Sequence, residues 1–298
     1  MTAFYTSDEG RQLVHARYAE MLAAWPVPSE QRRLPTREGE TFVLACGPEH
    51  APPIVLLQGS GGNVAMWMRD VAAFAEHHRV YAVDVIGEPG FSAPSRPPLE
   101  SDAYALWLDD VMQGLGLTSA AFVGVSLGGW IVLDYARRRA ERVHKAVVIS
   151  PSGIGRQKTS FMFKVGGLML LGRWGRRKAM FLAIGPAPGR PHPADREVGM
   201  LAMLISKHFR LRRVRVPILR NEELKQLTMP IMAIVGSRDA LLNSEETKRR
   251  LERFTPHATV KLLPDVGHLV RDQTSAVVEF LNRWAGDPAR DSQQPSGV

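Results

Sequence analysis

Short apolar runs alternate with helical periodicities along most of this chain. Ile54–Leu57, Arg79–Val85, Ala121–Val125, Ala146–Ser150 and the runs 231–235 and 259–263 are rich in Val, Ile, Leu, Ala and Met, and each fits a strand. The intervening stretches Asn63–His78, Ser101–Leu115, Leu127–Arg139, 244–253 and 274–284 read as helices. In the first of these, Val64, Trp67, Met68, Val71 and Phe74 share one face. Ser7–Trp25 predicts an amphipathic N-terminal helix, capped by Ser7 or Asp8 and stopped by Pro26 and Pro28. Thr36–Ala45 predicts an early hairpin. Strands alternating with helices imply an α/β protein whose mostly parallel central sheet is covered on both faces.

The alternation breaks off after Ser150 and resumes near Asn221. We expect residues 1–150 and 221–285 to form one core, 151–220 a largely helical segment inserted into it, and 286–298 a flexible polar tail. Charge sharpens this division. Residues 151–220 carry 15 Lys and Arg against two acids, Asp195 and Glu197, a net of +13. The remainder carries 23 against 28, a net of −5, so the overall +8 belongs to the insertion. This argues against a general nucleic-acid-binding surface. The insertion either has a solvated basic face or meets something anionic, such as a carrier or a membrane surface. Its apolar stretch includes Phe161, Phe163, Leu168 and Leu170 and is followed by Arg173, Arg176, Arg177 and Lys178. The oligomeric state is left open by the sequence.

The single cysteine, Cys46, excludes an intrachain disulfide and reads as a small buried apolar residue. Met1–Gly10 includes Asp8 and Glu9 and does not read as a signal peptide, and no run reaches the length of a membrane span. A cytoplasmic protein is the expectation. The histidines show no metal-ligand spacing, and neither a metal nor another cofactor is expected.

Chemistry is concentrated at the strand ends. Gly124-Val125-Ser126-Leu127-Gly128 follows an apolar strand and opens a helix, the setting of a G-x-S-x-G nucleophile elbow. A serine hydroxyl needs a base to accept its proton, and the base needs an orienting carboxylate. The strand 231–235 ends in Gly236-Ser237-Arg238-Asp239, and 259–263 is followed by Pro264-Asp265-Val266-Gly267-His268. The order Ser126, Asp239, His268 is neither that of chymotrypsin nor that of subtilisin. The chain resembles the α/β-hydrolase superfamily, as a carboxylesterase-like member with a serine nucleophile and a cap insertion. The resemblance runs from about Arg37 to Trp284, with the variable insertion inside it.

The resemblance implies the α/β-hydrolase fold and a catalytic Ser126-His268-Asp239 triad. The strand after the nucleophile helix ends in Ser150-Pro151-Ser152, without an acid, which leaves Asp239 for that role; Asp265 reads as a loop residue. The oxyanion hole implied is made of the backbone N–H groups of Leu127 and Ser60, with Gly61 as the alternative to Ser60. The family usually has His-Gly where this chain has Gln58-Gly59, so a changed loop network is expected. Asp84-Val85-Ile86-Gly87-Glu88-Pro89-Gly90-Phe91-Ser92 resembles the D-x-x-G-x-G-x-S loop and reads as structural. Trp67, Phe161, Phe163, Leu168 and Leu170 are candidates to line the acyl pocket.

A serine at the elbow disfavours the dehalogenase and epoxide-hydrolase chemistries of this fold, which use an aspartate. It suits carboxylic ester hydrolysis on a small or medium apolar substrate. Thioesters, lactones, carbon–carbon hydrolysis and cofactor-free perhydrolysis use the same triad, and a non-enzymatic ligand-binding homologue is the alternative of a different class.

Overall fold

The computed structural model describes residues 4–159, 161, 166–168, 170–190, 192–212 and 214–283. Eight strands form one sheet: β1 Ser29–Thr36, β2 Gly39–Cys46, β3 Pro53–Leu57, β4 Arg79–Val83, β5 Ala120–Val125, β6 Val143–Ile149, β7 Ile231–Gly236 and β8 Thr259–Leu263. Their spatial order is β1-β2-β4-β3-β5-β6-β7-β8. The first three form an antiparallel edge, and every pairing from β4–β3 to β7–β8 is parallel. Parallel strands need both faces covered, and β4 and β7 are buried along their whole length.

The helices are α1 Asp8–Ala23, α2 Val71–Ala75, α3 Ala103–Gly114, α4 Leu127–Arg138, α5 Gly172–Ile184, α6 Pro193–His208, α7 Asn221–Lys225, α8 Ser244–Phe254 and α9 Thr274–Asn282. One core gathers Trp107, Trp130, Phe122 and Tyr135 against one set of strand side chains. A second, holding Tyr18, Phe42, Trp67 and Phe74, covers the alternate strand positions. Ser7 caps α1 by accepting the Gly10 N–H at 3.0 Å.

Two elements differ from the sequence expectation. The hairpin is longer than Thr36–Ala45, because Ser29–Thr36 pairs along its length with Gly39–Cys46. This strand is polar and mostly exposed at the sheet edge, so it carries no apolar alternation. The stretch 63–78 is not one helix. It is a 3₁₀ turn, Val64–Trp67, followed by the short α2. Arg69, between them, is drawn out to Asp195 and Asp272, and Thr274 donates to Asp70.

The segment between β6 and β7 packs back onto the core. Asp195 accepts from Arg69 and Glu197 from Arg17, while Tyr5 bridges to Phe209. Among the described residues no helix is long and apolar enough to cross a membrane.

Candidate active site

Ser126 sits between β5 and α4 with φ 51° and ψ −108°, a left-handed conformation strained for a residue with a Cβ. Close packing enforces it. A Cβ on Gly124 would lie 2.5 Å from the Gly128 carbonyl oxygen, and one on Gly128 would lie 2.3 Å from that of Leu57. The Ser126 backbone is also tied on both sides. Its N–H donates to Ile149 O at 2.9 Å, and its carbonyl accepts from Trp130 and Ser152 at 3.1 Å each. Strand, turn and helix therefore lock one hydroxyl at the apex.

His268 and Asp239 arrive from loops after β8 and β7. His268 Nε2 lies 3.1 Å from Ser126 Oγ, and His268 Nδ1 lies 2.7 Å from Asp239 Oδ2. Asp239 is buried, and its other oxygen accepts the N–H groups of Leu241 at 2.7 Å and Leu242 at 3.0 Å. A carboxylate so saturated is fixed in orientation, and it aims the histidine ring in turn. Asp265 does not compete with it, because it pairs with Arg238 at 2.8 Å in an exposed loop.

Residues not singled out from the sequence complete this support. Ser150 Oγ donates to the His268 carbonyl at 2.9 Å, and Lys158 Nζ donates to the Asp239 carbonyl at 2.6 Å. The end of α5 runs beside the histidine loop, where Gly267 N–H donates to Pro186 O at 2.5 Å and Leu269 N–H to Ile184 O at 3.1 Å. A Cβ on Gly267 would meet Ile184 O at 2.5 Å, so glycine is needed for this approach.

The loop after β3 lies close to the nucleophile, since a Cβ on Gly59 would come within 3.3 Å of Ser126 Cβ. Gln58 is fully buried. With its amide oriented by the surrounding hydrogen-bond pattern, it donates to Val83 O at 2.7 Å and accepts from Val85 N–H at 2.8 Å. Gln58 thus ties the loop to β4, a network of its own in the place of the usual histidine.

Glu88 is the less expected feature. It is buried, and its Oε2 accepts the Gly61 N–H at 2.6 Å and the Ser60 hydroxyl at 3.3 Å. The Gly61 N–H is therefore engaged, which makes Ser60 the better candidate of the two loop donors. Leu127 N–H lies in the first turn of α4, where no intrahelical acceptor exists. Burial pushes the Glu88 carboxyl up, against the Gly61 N–H and the Arg96 and Arg212 charges. The D-x-x-G-x-G-x-S motif has one residue between its glycines, whereas here Glu88 and Pro89 separate Gly87 from Gly90. That length difference was the available signal. Glu88 also borders a cleft of about 500 Å³ with Tyr5, His15, Phe91 and Phe209, whose lining does not include Ser126. Asp84, at the head of the same loop, is structural: it accepts from Val64 N–H at 2.9 Å, Phe91 N–H at 2.7 Å and the Tyr18 hydroxyl at 3.0 Å.

The acyl-pocket candidates fare unevenly. Trp67 is buried in the core beside Phe74. Leu170 is 87% exposed, a surface position and not a pocket wall. Phe161 and Leu168 are half-buried, and Phe163 lies outside the described residues.

The model of the Alpha/beta hydrolase family matches residues 54–280. Carboxylesterase YbfK of Bacillus subtilis (strain 168) is 29% identical over 270 residues, covering 90% of each chain. The crystal structure of carboxylesterase CesB (YbfK) from Bacillus subtilis superposes with a TM-score of 0.75 over 87% of this chain and 92% of that one. Naproxen esterase (carboxylesterase NP) from Bacillus subtilis, 28% identical, gives 0.78 over 92% and 96%.

Proposed function

The chain belongs to the alpha/beta hydrolase family, and we propose that it hydrolyses carboxylic esters of small or medium apolar substrates through an acyl-enzyme on Ser126. The observation that carries this reading is the hydrogen-bonded line from Ser126 Oγ through the His268 ring to Asp239. His268 takes the Ser126 proton as Oγ attacks the carbonyl carbon, and Asp239 steadies the imidazolium formed. The tetrahedral oxyanion is received by the N–H groups of Ser60 and Leu127. The imidazolium returns its proton to the leaving alcohol, and water then releases the acid by the same steps.

The esterase names of the 28–29% identical relatives support an ester over a thioester, lactone or carbon–carbon substrate. Phe161 and Leu168 remain the residues of the cap proposed to approach the acyl chain. The basic charge of residues 151–220 is read as a contact with something anionic.

The test is labelling by a fluorophosphonate together with p-nitrophenol release from a short acyl ester. Stoichiometric labelling of Ser126 and a burst of p-nitrophenol are expected. Neither labelling nor burst in the folded protein would leave a ligand-binding homologue as the better reading.

A further inference from the structure

Ten large apolar side chains stand exposed among the described residues, and nine of them lie between Leu170 and Ile218. They fall within the segment that carries the +13 charge. On α5, Trp174, Arg177, Lys178 and Phe181 recur at helical spacing and all face solvent, while Gly175 and Ala179 face inward. Lys178 Nζ lies 4.7 Å from the centre of the Trp174 ring, and the Arg177 guanidinium 5.7 Å from that of Phe181. Leu170 and Leu171 extend the apolar end of this face. On α6, Arg196, Met200, Met203 and Lys207 form an exposed stripe, opposite buried Ala194, Leu201 and Ile205.

Both acids of the segment are paired with cations outside it. Asp195 is paired with Arg69 and Glu197 with Arg17, each toward the core. The outward faces of α5 and α6 thus interleave apolar and aromatic side chains with cations, and no described acid shares them.

From these faces we infer that the cap docks on an anionic lipid bilayer surface, with Trp174, Phe181 and Leu170–Leu171 seated at the headgroup boundary and Arg177 and Lys178 on the lipid anions. Lys and Arg flanking Trp, Phe and Leu on an interfacial helix is the composition such surfaces select. A second copy bound cap to cap would bring two segments of +13 together. An acidic protein would meet the cations, but protein interface cores are depleted in lysine. The inference extends the anionic-contact reading of the cap and is independent of the ester chemistry.

The experiment uses the full chain carrying Ser126→Ala, so that the result does not depend on turnover. Flotation is measured with phosphatidylcholine vesicles, with and without about one-third phosphatidylglycerol. We expect binding to the anionic vesicles to exceed that to the neutral ones about tenfold or more. Raising salt from about 0.1 M to about 1 M should abolish the difference. The pairs Trp174→Ala/Phe181→Ala and Arg177→Gln/Lys178→Gln should each weaken binding about tenfold, with the thermal midpoint unchanged. In the Ser126 chain the same pairs should leave p-nitrophenyl acetate turnover intact. Equal binding to both vesicles, no binding to either, or undiminished binding by both pairs would overturn the proposal. Retention by an acidic carrier protein in place of vesicles would overturn it in favour of a protein partner.

Discussion

Glu88 Oε2 accepts the backbone N–H of Gly61 at 2.6 Å, and this bond occupies one of the two β3-loop N–H groups proposed for the oxyanion. The buried carboxylate engages that N–H and, through the Ser60 hydroxyl, holds the loop whose Ser60 N–H is proposed to receive the oxyanion. Glu88→Ala releases both groups. It is expected to lower kcat about tenfold to a hundredfold, with little change in KM, because the loss falls on a group that stabilises the transition state. Glu88→Gln keeps an acceptor oxygen there and should restore most of the rate. Steady-state kinetics on one ester decide the matter: an undiminished kcat in Glu88→Ala means that the carboxylate does not position the loop.

The Ser126–His268–Asp239 line supports a second prediction. Ser126→Ala and His268→Ala are each expected to cost about a millionfold in kcat, and Asp239→Asn about ten-thousandfold. The double variant Ser126→Ala/His268→Ala should be no worse than either single one, because the three groups act as a unit. Asp239→Asn also loses one of its fixed oxygens against His268 Nδ1. Full activity in Asp239→Asn, measured with p-nitrophenyl esters, would remove Asp239 from the mechanism.

The line was legible in the sequence because each member follows a strand that carries its own apolar signal. Ser126 follows β5, Asp239 follows β7 and His268 follows β8. The parallel order brings those carboxyl ends to one edge, so chain order alone juxtaposes them. Side chains that act from inside loops gave no such signal. Glu88 contributes through hydrogen bonds from Gly61 and Ser60, 27 and 28 residues away. Arg69, in the break at Met68–Asp70, pairs with Asp195 and Asp272, more than a hundred residues away. Polar β1 was illegible for a simpler reason: at an exposed edge, burial imposes no alternation.

Glycine packing at the elbow gives a third prediction. A Cβ on Gly128 would meet the backbone oxygens of Leu57 at 2.3 Å and Gln58 at 2.6 Å, main-chain atoms that cannot swing aside as a side chain would. Gly128→Ala should therefore cost several kcal/mol or prevent folding. Gly116 provides the control, because it has φ +71° with open space around it. There the added methyl meets only the left-handed backbone penalty, about 1 kcal/mol. Urea unfolding of the two variants compares steric with conformational cost, and equal losses would contradict the packing at Ser126.

The last prediction concerns Asp84, whose carboxyl is pushed up to about 6 by burial, against the pull of the Phe91 and Val64 N–H groups and the Tyr18 hydroxyl. In the unfolded chain an aspartate titrates near about 3.9. Between about pH 4 and pH 6 the folded protein therefore holds a proton that the unfolded chain has released. The folded state then binds more protons than the unfolded one, so this group's contribution is most favourable below about 4 and declines as pH rises to about 6. The total decline is on the order of 3 kcal/mol and is complete at neutral pH. Asp84→Asn cannot ionise and lacks this slope, although it gives up one acceptor oxygen. The stability difference between the two proteins should accordingly shift in favour of Asn as pH rises from about 4 to about 7. Urea denaturation across that range measures it, with all other carboxylates common to both chains. Parallel stability curves would mean that Asp84 is ionised throughout and that its three donors outweigh its burial.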